Sequence, residues 1–102
     1  MTPDMTSGET FIAIARDHPA FAGHFPGTPI VPGVVLLDEA LHAIGKLTGI
    51  DLSACHINAV KFLSPVRPGQ QVGVRYETLN NGAIRFDLMC DERKVATGSI
   101  RP

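Results

Sequence analysis

The chain has 102 residues, of which 44% are hydrophobic and 19% are charged, values typical of a globular domain and not of a disordered chain. Nine Lys and Arg face ten Asp and Glu, and the net charge of -1 argues against a nucleic-acid-binding protein and against a basic membrane-binding surface. No leader pattern and no apolar stretch of bilayer length is visible, so we expect one cytoplasmic domain over residues 1–102, with residues 1–8 frayed.

The first half of the chain predicts a strand, a loop and a long helix. Thr10–Ala15 is rich in strand formers, whereas Asp17–Thr28 holds two Pro and two Gly in 12 residues and is predicted to be a loop. Pro32–Gly49 is predicted to be a helix, because Pro suits a helix start and Gly suits the C-terminal stop.

The predicted helix is apolar around most of its circumference, so we expect it to be buried. At about 100° per residue, one apolar face groups Val34, Leu37, Leu41, Ile44 and Gly45. Glu39, His42 and Lys46 form a narrower polar strip, and Asp38 is expected at the margin of the apolar face.

After the helix the hydrophobic period changes to two, which predicts strands. Four strands are predicted, over Ile57–Leu63, Gln71–Leu79, Ala83–Cys90 and Lys94–Ile100. Asn80–Gly82 predicts a hairpin turn with positive φ at both Asn and Gly, and Asp91–Arg93 predicts a second turn.

This order of elements predicts an α+β fold, in which an antiparallel sheet of about five or six strands wraps around one long helix. A lone sheet of this size has bare edges, so we expect dimerisation.

Neither a disulfide nor a metal site is predicted. Cys55 and Cys90 lie 35 positions apart and are expected to be ordinary buried thiols in a reducing compartment. The four histidines, His18, His24, His42 and His56, have no metal-ligand spacing.

Three residues could carry chemistry, although each also has an ordinary structural interpretation. His24, in a loop fixed by Pro and Gly and flanked by Phe, is either a surface histidine or a general base. Asp38 is either a hydrogen-bonded structural carboxylate or an acid at the edge of a cavity. Gly33 either makes a turn or opens the helix N-terminus to a carbonyl oxygen. Together they favour proton abstraction next to a carbonyl, followed by elimination or isomerisation.

Two segments carry a resemblance to a known family. The run from His24 to Asp38, GHFPxxPxxPGV with a carboxylate 14 residues after the His, resembles the active-site segment of the beta-hydroxyacyl-acyl-carrier-protein dehydratases. Val60–Phe62, followed by Pro65-Val66 and Pro68-Gly69, is similar to that family's KFxxPVxPG strand and turn. The resemblance covers roughly Phe11 to Ile100 and implies the hotdog fold.

The resemblance also implies roles for the residues. His24 would remove the C2 proton of a 3-hydroxyacyl thioester, and Asp38 would protonate the leaving C3 hydroxyl, giving a trans-2-enoyl thioester. The N–H of Gly33, with Val34 beside it, would polarise the thioester carbonyl. The expected lining of the acyl tunnel is Phe25, Leu37, Leu41 and Phe62.

The resemblance further implies an acidic acyl carrier protein as partner, with the substrate on its phosphopantetheine arm, no other cofactor, and a role in fatty-acid, polyketide or polyene synthesis. Lys61 and Arg67 are the docking candidates. His24 and Asp38 of one site would come from different subunits of a homodimer, a higher homo-oligomer or a hetero-oligomer.

Some alternatives stay open at this point. The commoner branch of the family carries Glu where Asp38 stands, and a one-residue gap would align Glu39 instead. The family often has Gln where His42 falls. The short chain does not indicate the length of the acyl group. A CoA thioester as substrate, and isomerase activity in addition to dehydration, are also compatible with the sequence. An acyl thioesterase and a non-catalytic partner subunit of the same fold are the rival functions.

Overall fold

The computed structural model describes residues 7–14 and 30–102. The predicted loop Asp17–Thr28, with His24 and Phe25, lies outside these residues.

One helix and five strands are present in the described part of the chain. In chain order they are β1 (Ser7–Ala13), α1 (Gly33–Thr48), β2 (His56–Phe62), β3 (Gln71–Thr78), β4 (Ile84–Cys90) and β5 (Arg93–Arg101). Every predicted element in these ranges is confirmed, with small shifts at its ends. No helix within the described residues has the length and hydropathy needed to cross a bilayer.

The first strand begins earlier than predicted. Ser7 and Gly8 were expected to be frayed, but they pair with Glu77 and Tyr76 of β3. A Cβ at position 8 would lie 2.7 Å from the Tyr76 ring, so glycine lets that ring pack against the β1 backbone. Strand β1 therefore begins three residues before the predicted Thr10.

The helix runs from Gly33 to Thr48, one residue inside the predicted range at each end, and Pro32 and Gly49 are its caps. Pro32 is the N-cap, with φ -59° and ψ 143°, and its carbonyl accepts hydrogen bonds from Val35 N–H (3.0 Å) and Leu36 N–H (3.1 Å). Gly49 adopts the left-handed conformation with φ 76°, and its N–H donates to the Gly45 carbonyl (2.9 Å).

The five strands form one antiparallel sheet in the order β1-β3-β4-β5-β2. The strands at the two edges, β1 and β2, are joined through α1. Helix α1 therefore covers one face of the sheet while the chain crosses from one edge to the other.

The core lies between α1 and this face. Val72 and Val74 of β3, with Phe86 and Leu88 of β4, are buried there, as the period-two pattern predicts. By contrast, β2 is exposed along its length except at Val60, which is half-buried.

The face that α1 presents to the sheet differs from the predicted one. The buried residues are Leu36, Ala40 and Ile44. Only Ile44 belongs to the predicted face, and the centre of the buried residues lies about 90° around the helix from the centre of that face. Val34 is 72% exposed, and Asp38 is exposed rather than at a buried margin. One sheet covers only one side of a helix that is apolar on several sides, so the sequence pattern did not distinguish the covered side.

Two local predictions also need correction. In the β3–β4 turn only Gly82 has positive φ (89°); Asn81 does not, and the N–H of Gly82 donates to the Leu79 carbonyl (3.0 Å). Of the two cysteines, both free thiols, Cys90 is buried as expected but Cys55 is only half-buried.

Candidate active site

The candidate site includes the N-terminus of α1, which begins at Gly33. The N–H groups of the first helical turn have no partner within the helix and carry partial positive charge. Among the described residues, no side chain caps this end, and the first turn holds no acidic residue. The predicted donors, Gly33 and Val34, are the first two residues of the helix, so this end is suited to a carbonyl oxygen that develops negative charge.

An apolar groove adjoins this helix end. It has a volume of about 420 Å³, and its lining includes Ile30, Gly33, Leu36, Phe62 and Leu63. The Phe62 ring lies directly on the helix: a Cβ at Gly33 would be 2.9–3.1 Å from three of its ring atoms. Glycine at position 33 therefore provides the space for the ring, and the groove is suited to an acyl chain beside the helix N-terminus.

The connection between β2 and β3 holds the groove in shape. Val31 N–H donates to the Val66 carbonyl (2.7 Å), which ties the helix entry to this connection. Arg93 donates to the Ser64 hydroxyl and to the Pro65 carbonyl (2.8 Å). The second resemblance segment, which contains Pro65-Val66, thus builds one wall of the groove.

A second cavity of about 650 Å³ lies along the other end of the helix. The helix contributes Asp38, Glu39, Leu41, His42, Gly45 and Lys46 to its lining. These helix residues form an arc whose centre falls between Asp38 and His42. The arc lies about 180° around the helix from the buried residues that face the sheet. The facing wall comes from the α1–β2 connection and includes Ile50, Leu52 and Cys55.

Both candidate acids line this cavity. Asp38 is exposed and Glu39 is half-buried, so the argument that placed Asp38 nearer the buried side is wrong, because it assumed the wrong helix face. Cavity lining alone leaves Asp38 and Glu39 as alternatives.

The predicted site residues divide between the two places. Gly33 and Phe62 meet at the groove, whereas Asp38 and Leu41 meet at the larger cavity. Leu37 is half-buried against the core. The predicted base, His24, lies outside the described residues, as does Phe25.

Both docking candidates are exposed and neighbour groove residues in the sequence. Lys61 precedes the groove residue Phe62, and Arg67 follows the groove residue Val66. Arg75, another surface arginine, is engaged across the outer face of the sheet with Glu9 at 3.0 Å.

Sequence reasoning gave His42 and Cys55 no role in a site, although both line the larger cavity and the resemblance places His42 where the family often has Gln. His42 was assigned to a solvated strip, although its spacing of four residues from Asp38 puts both side chains on one helix face. Cys55 carries no such signal, because the α1–β2 connection that places it has no repeating pattern.

The comparison with known families covers almost the whole chain. A family model for ApeI-like proteins, described as ApeI dehydratase, matches residues 2–99. The chain belongs to the ApeI-like dehydratase family. This agrees with the dehydratase resemblance carried by the His24–Asp38 segment.

Curated relatives point to the same chemistry. The 3-hydroxyacyl-acyl-carrier-protein dehydratase FabZ of Chlamydia trachomatis is 40% identical over 73 residues, covering 63% of this chain and 48% of that protein. The FabZ protein of Zymomonas mobilis is 36% identical over 88 residues, covering 74% of this chain and 56% of that protein. The chain thus spans about half the length of these relatives.

Among solved structures, the dehydratase heterocomplex ApeI:P from Xenorhabdus doucetiae superposes with a TM-score of 0.77 at 23% identity. The match covers 99% of this chain and 90% of that chain. It establishes the hotdog fold, with the five-stranded antiparallel sheet and single helix described above.

Proposed function

We propose that the protein is a lyase that removes water from 3-hydroxyacyl thioesters to give trans-2-enoyl thioesters. The observation that carries the proposal is the N-terminus of α1, which no side chain of the described residues caps, beside an apolar groove in a chain of the ApeI-like dehydratase family. The two FabZ relatives are named for this reaction on acyl-carrier-protein substrates.

The groove and the helix end account for substrate binding. The acyl chain lies against Phe62 and Leu63, and the thioester carbonyl faces the N–H groups of Gly33 and Val34. Negative charge that develops on this oxygen as C2 loses its proton is stabilised by these donors and by the positive end of the helix.

Two side chains move the protons. His24 accepts the proton from C2, and the electron pair left on C2 forms the double bond to C3 as the C3–O bond breaks. Asp38 donates a proton to the departing hydroxyl, which leaves as water. Proton and leaving group balance without an electron acceptor, so the proposed reaction uses no cofactor other than the phosphopantetheine arm that carries the substrate.

The proposed partner is an acyl carrier protein. Lys61 and Arg67 are exposed, neighbour groove residues in the sequence, and would attract its acidic surface. We place the reaction in the cytoplasm, where the free thiols of Cys55 and Cys90 stay reduced.

We further propose that the working form is a dimer. Gly33 and Asp38 of one chain line separate cavities, which fits a site that combines the groove of one subunit with the acid of its partner. The exposed strand β2 lies at a sheet edge and carries Ile57 and Phe62, which are 46% and 49% exposed. Because an edge strand has unpaired backbone N–H and C=O groups, a second subunit that covers β2 would protect it from pairing with other chains.

Mixing two inactive variants tests this assembly. A dimer of one His24→Ala subunit and one Asp38→Asn subunit contains one intact site if the two residues come from different subunits. Random exchange should then restore about a quarter of wild-type activity. No recovery, with subunit exchange verified, would contradict a shared site.

Turnover of defined substrates tests the function itself. The purified protein is incubated with 3-hydroxyacyl carrier-protein thioesters of several chain lengths, and the mass of the carrier protein is followed. Wild type should lose one water per acyl group, whereas His24→Ala should leave the substrate intact and remain dimeric. Appearance of free acid would identify a thioesterase, and an unchanged mass with wild type would favour a non-catalytic partner subunit.

The identity of the acid is tested in the same assay. Asp38→Asn should lose elimination while Glu39→Gln retains it. If Glu39→Gln is the inactive variant instead, the acid is Glu39.

A further inference from the structure

We propose that Arg93 is a positioning residue for the apolar groove and that it favours longer acyl chains, an inference that rests on the proposed binding of acyl thioesters in this groove. Arg93 begins β5, directly after the tight turn at Asp91 and Glu92, and is not among the residues that line the groove. Its Nη1 group donates to the Ser64 hydroxyl and to the Pro65 carbonyl (2.8 Å), and both of these residues do line it. The guanidinium therefore holds the groove wall from outside.

The wall at Ser64 and Pro65 has few other anchors. Proline has no N–H, so Pro65 has no backbone donor that could tie it to a neighbouring strand. The N–H groups of Leu63 (2.9 Å) and Ser64 (3.3 Å) share one acceptor, the Val95 carbonyl. Among the described residues, no other side chain forms a hydrogen bond to Ser64 or Pro65. We expect this wall to loosen when the Arg93 guanidinium is removed.

The same wall is connected to the entry of the helix. Val66, which follows Pro65, is buried, and its carbonyl accepts the hydrogen bond from Val31 N–H (2.7 Å). Val31 lies two residues before Gly33, the first helical residue and a proposed donor to the thioester carbonyl. Loosening the wall should therefore disturb the groove and the helix entry, and leave the far end of α1 unchanged.

The length of the acyl chain determines how much a loosened wall weakens binding. Apolar contact with the groove grows with each methylene group of the chain, whereas the thioester and the carrier protein are the same for every length. A long chain that loses contact with about one or two methylene groups should bind about fourfold to fifteenfold more weakly. A butyryl group has few methylene groups whose contacts can be lost.

Binding of saturated acyl groups tests this effect without turnover. Decanoyl and butyryl thioesters of an acyl carrier protein lack the 3-hydroxyl group and cannot be dehydrated, so their Kd values can be measured at equilibrium. Arg93→Met keeps an unbranched side chain and removes the donors. It should raise the Kd of the decanoyl thioester about fourfold to fifteenfold and that of the butyryl thioester less than about twofold. Docking of the carrier protein is common to both ligands and cancels in the ratio of the two Kd values.

Two matched variants control for the loss of a surface cation. Arg101, at the opposite end of β5, also donates to a backbone carbonyl, that of Asn81 (3.1 Å). Lys94 follows Arg93 in the sequence, and its Nζ lies 3.6 Å from the Asp87 carboxylate. Arg101→Met and Lys94→Met should each leave the ratio of the two Kd values within about twofold of wild type. Thermal unfolding of each variant verifies that it is folded.

Amide hydrogen exchange tests the structural part of the inference with no ligand present. In Arg93→Met the N–H groups of Leu63 and Val31 should exchange at least about fivefold faster, whereas Gly49 N–H, at the other end of α1, should keep its wild-type rate. Unchanged exchange at Leu63 and Val31 would overturn the inference, as would equal weakening of the two thioesters or no binding of either by wild type. Failure of wild type to dehydrate its substrate would contradict the proposed function alone, because neither measurement requires turnover.

Discussion

Replacing Gly33 by Ala tests the contact between the helix N-terminus and the groove. The new Cβ would lie 2.9 Å from the nearest ring atom of Phe62, and two further ring atoms are at 3.0 and 3.1 Å. An ordinary carbon–carbon contact needs about 3.5 Å, so the ring must retreat by roughly 0.6 Å. Phe62 is 49% exposed in the single chain, so the described residues of its own chain leave the ring room to swing outward.

The expected effect is small on stability and large on activity. Ala improves helix propensity by up to about 1 kcal/mol relative to Gly, which offsets a rotamer strain of about 0.5–1.5 kcal/mol on Phe62. The methyl group and the displaced ring would occupy the space where, in the proposed reaction, the thioester approaches the N–H groups. We therefore expect kcat/KM to fall about tenfold to a hundredfold, equivalent to roughly 1.4–2.7 kcal/mol of transition-state stabilisation.

Steady-state kinetics with a 3-hydroxyacyl carrier-protein thioester, paired with chemical denaturation, measures both quantities. The double variant Gly33→Ala/Phe62→Leu is the control, because a smaller side chain makes room for the new methyl group and should recover part of the loss. Wild-type kcat/KM in Gly33→Ala would refute a role for this helix end in binding the substrate. A loss of stability above about 3 kcal/mol would show that the ring cannot move as argued.

Three further changes probe the fold and the assembly. Gly98→Ala should destabilise the protein by roughly 1–3 kcal/mol in denaturant unfolding. The new Cβ would lie 2.6 Å from the ring of Phe86, which is buried and cannot retreat. An unchanged free energy of unfolding would contradict this packing. Hydrogen bonds from the N–H and then the hydroxyl of Ser53 lower the pKa of Asp51 below its ordinary value of 3.8. Asp51→Ala should therefore lower the melting temperature at pH values above 3.8. The difference from wild type should shrink as the pH falls through the lowered pKa of Asp51, and a pH-independent difference would show that the charge of Asp51 does not contribute to stability. Ile57→Lys should shift the dimer toward monomer in light scattering, and an unchanged dimer would place the interface away from β2.

The sequence predicted the elements of the fold because their signals are local. Alternation along β3 and β4 identified the buried sides, and Pro32 and Gly49 marked the helix ends. These signals depend only on backbone preferences and on the period of the apolar residues. They hold whatever packs against the element.

The helix orientation could not be obtained in the same way. Of the predicted apolar face only Ile44 is buried, and the other buried residues are Leu36 and Ala40 instead of Val34, Leu37 and Leu41. A helix with more apolar surface than one sheet can cover has several possible buried faces. For the same reason Asp38 is exposed instead of lying at the margin of a buried face. His42, one turn further along the helix, was assigned to a solvated strip although it lines the larger cavity.

The candidate site was predicted in part. Gly33 and Phe62 come from different resemblance segments, and the structure brings them into contact. The roles of His24 and Asp38 remain predictions, since His24 lies outside the described residues. The larger cavity depends on the α1–β2 connection, whose irregular backbone no periodic pattern describes.

Approach to equilibrium from both sides tests the proposed reaction most directly. One sample starts from a 3-hydroxyacyl carrier-protein thioester and the other from the matching trans-2-enoyl thioester, and both are followed by mass spectrometry with wild-type protein. A dehydratase should bring both samples to the same ratio of the two species, with the acyl group still attached to its carrier. Two samples that remain as they began, or release of free acid from either, would contradict the proposed function.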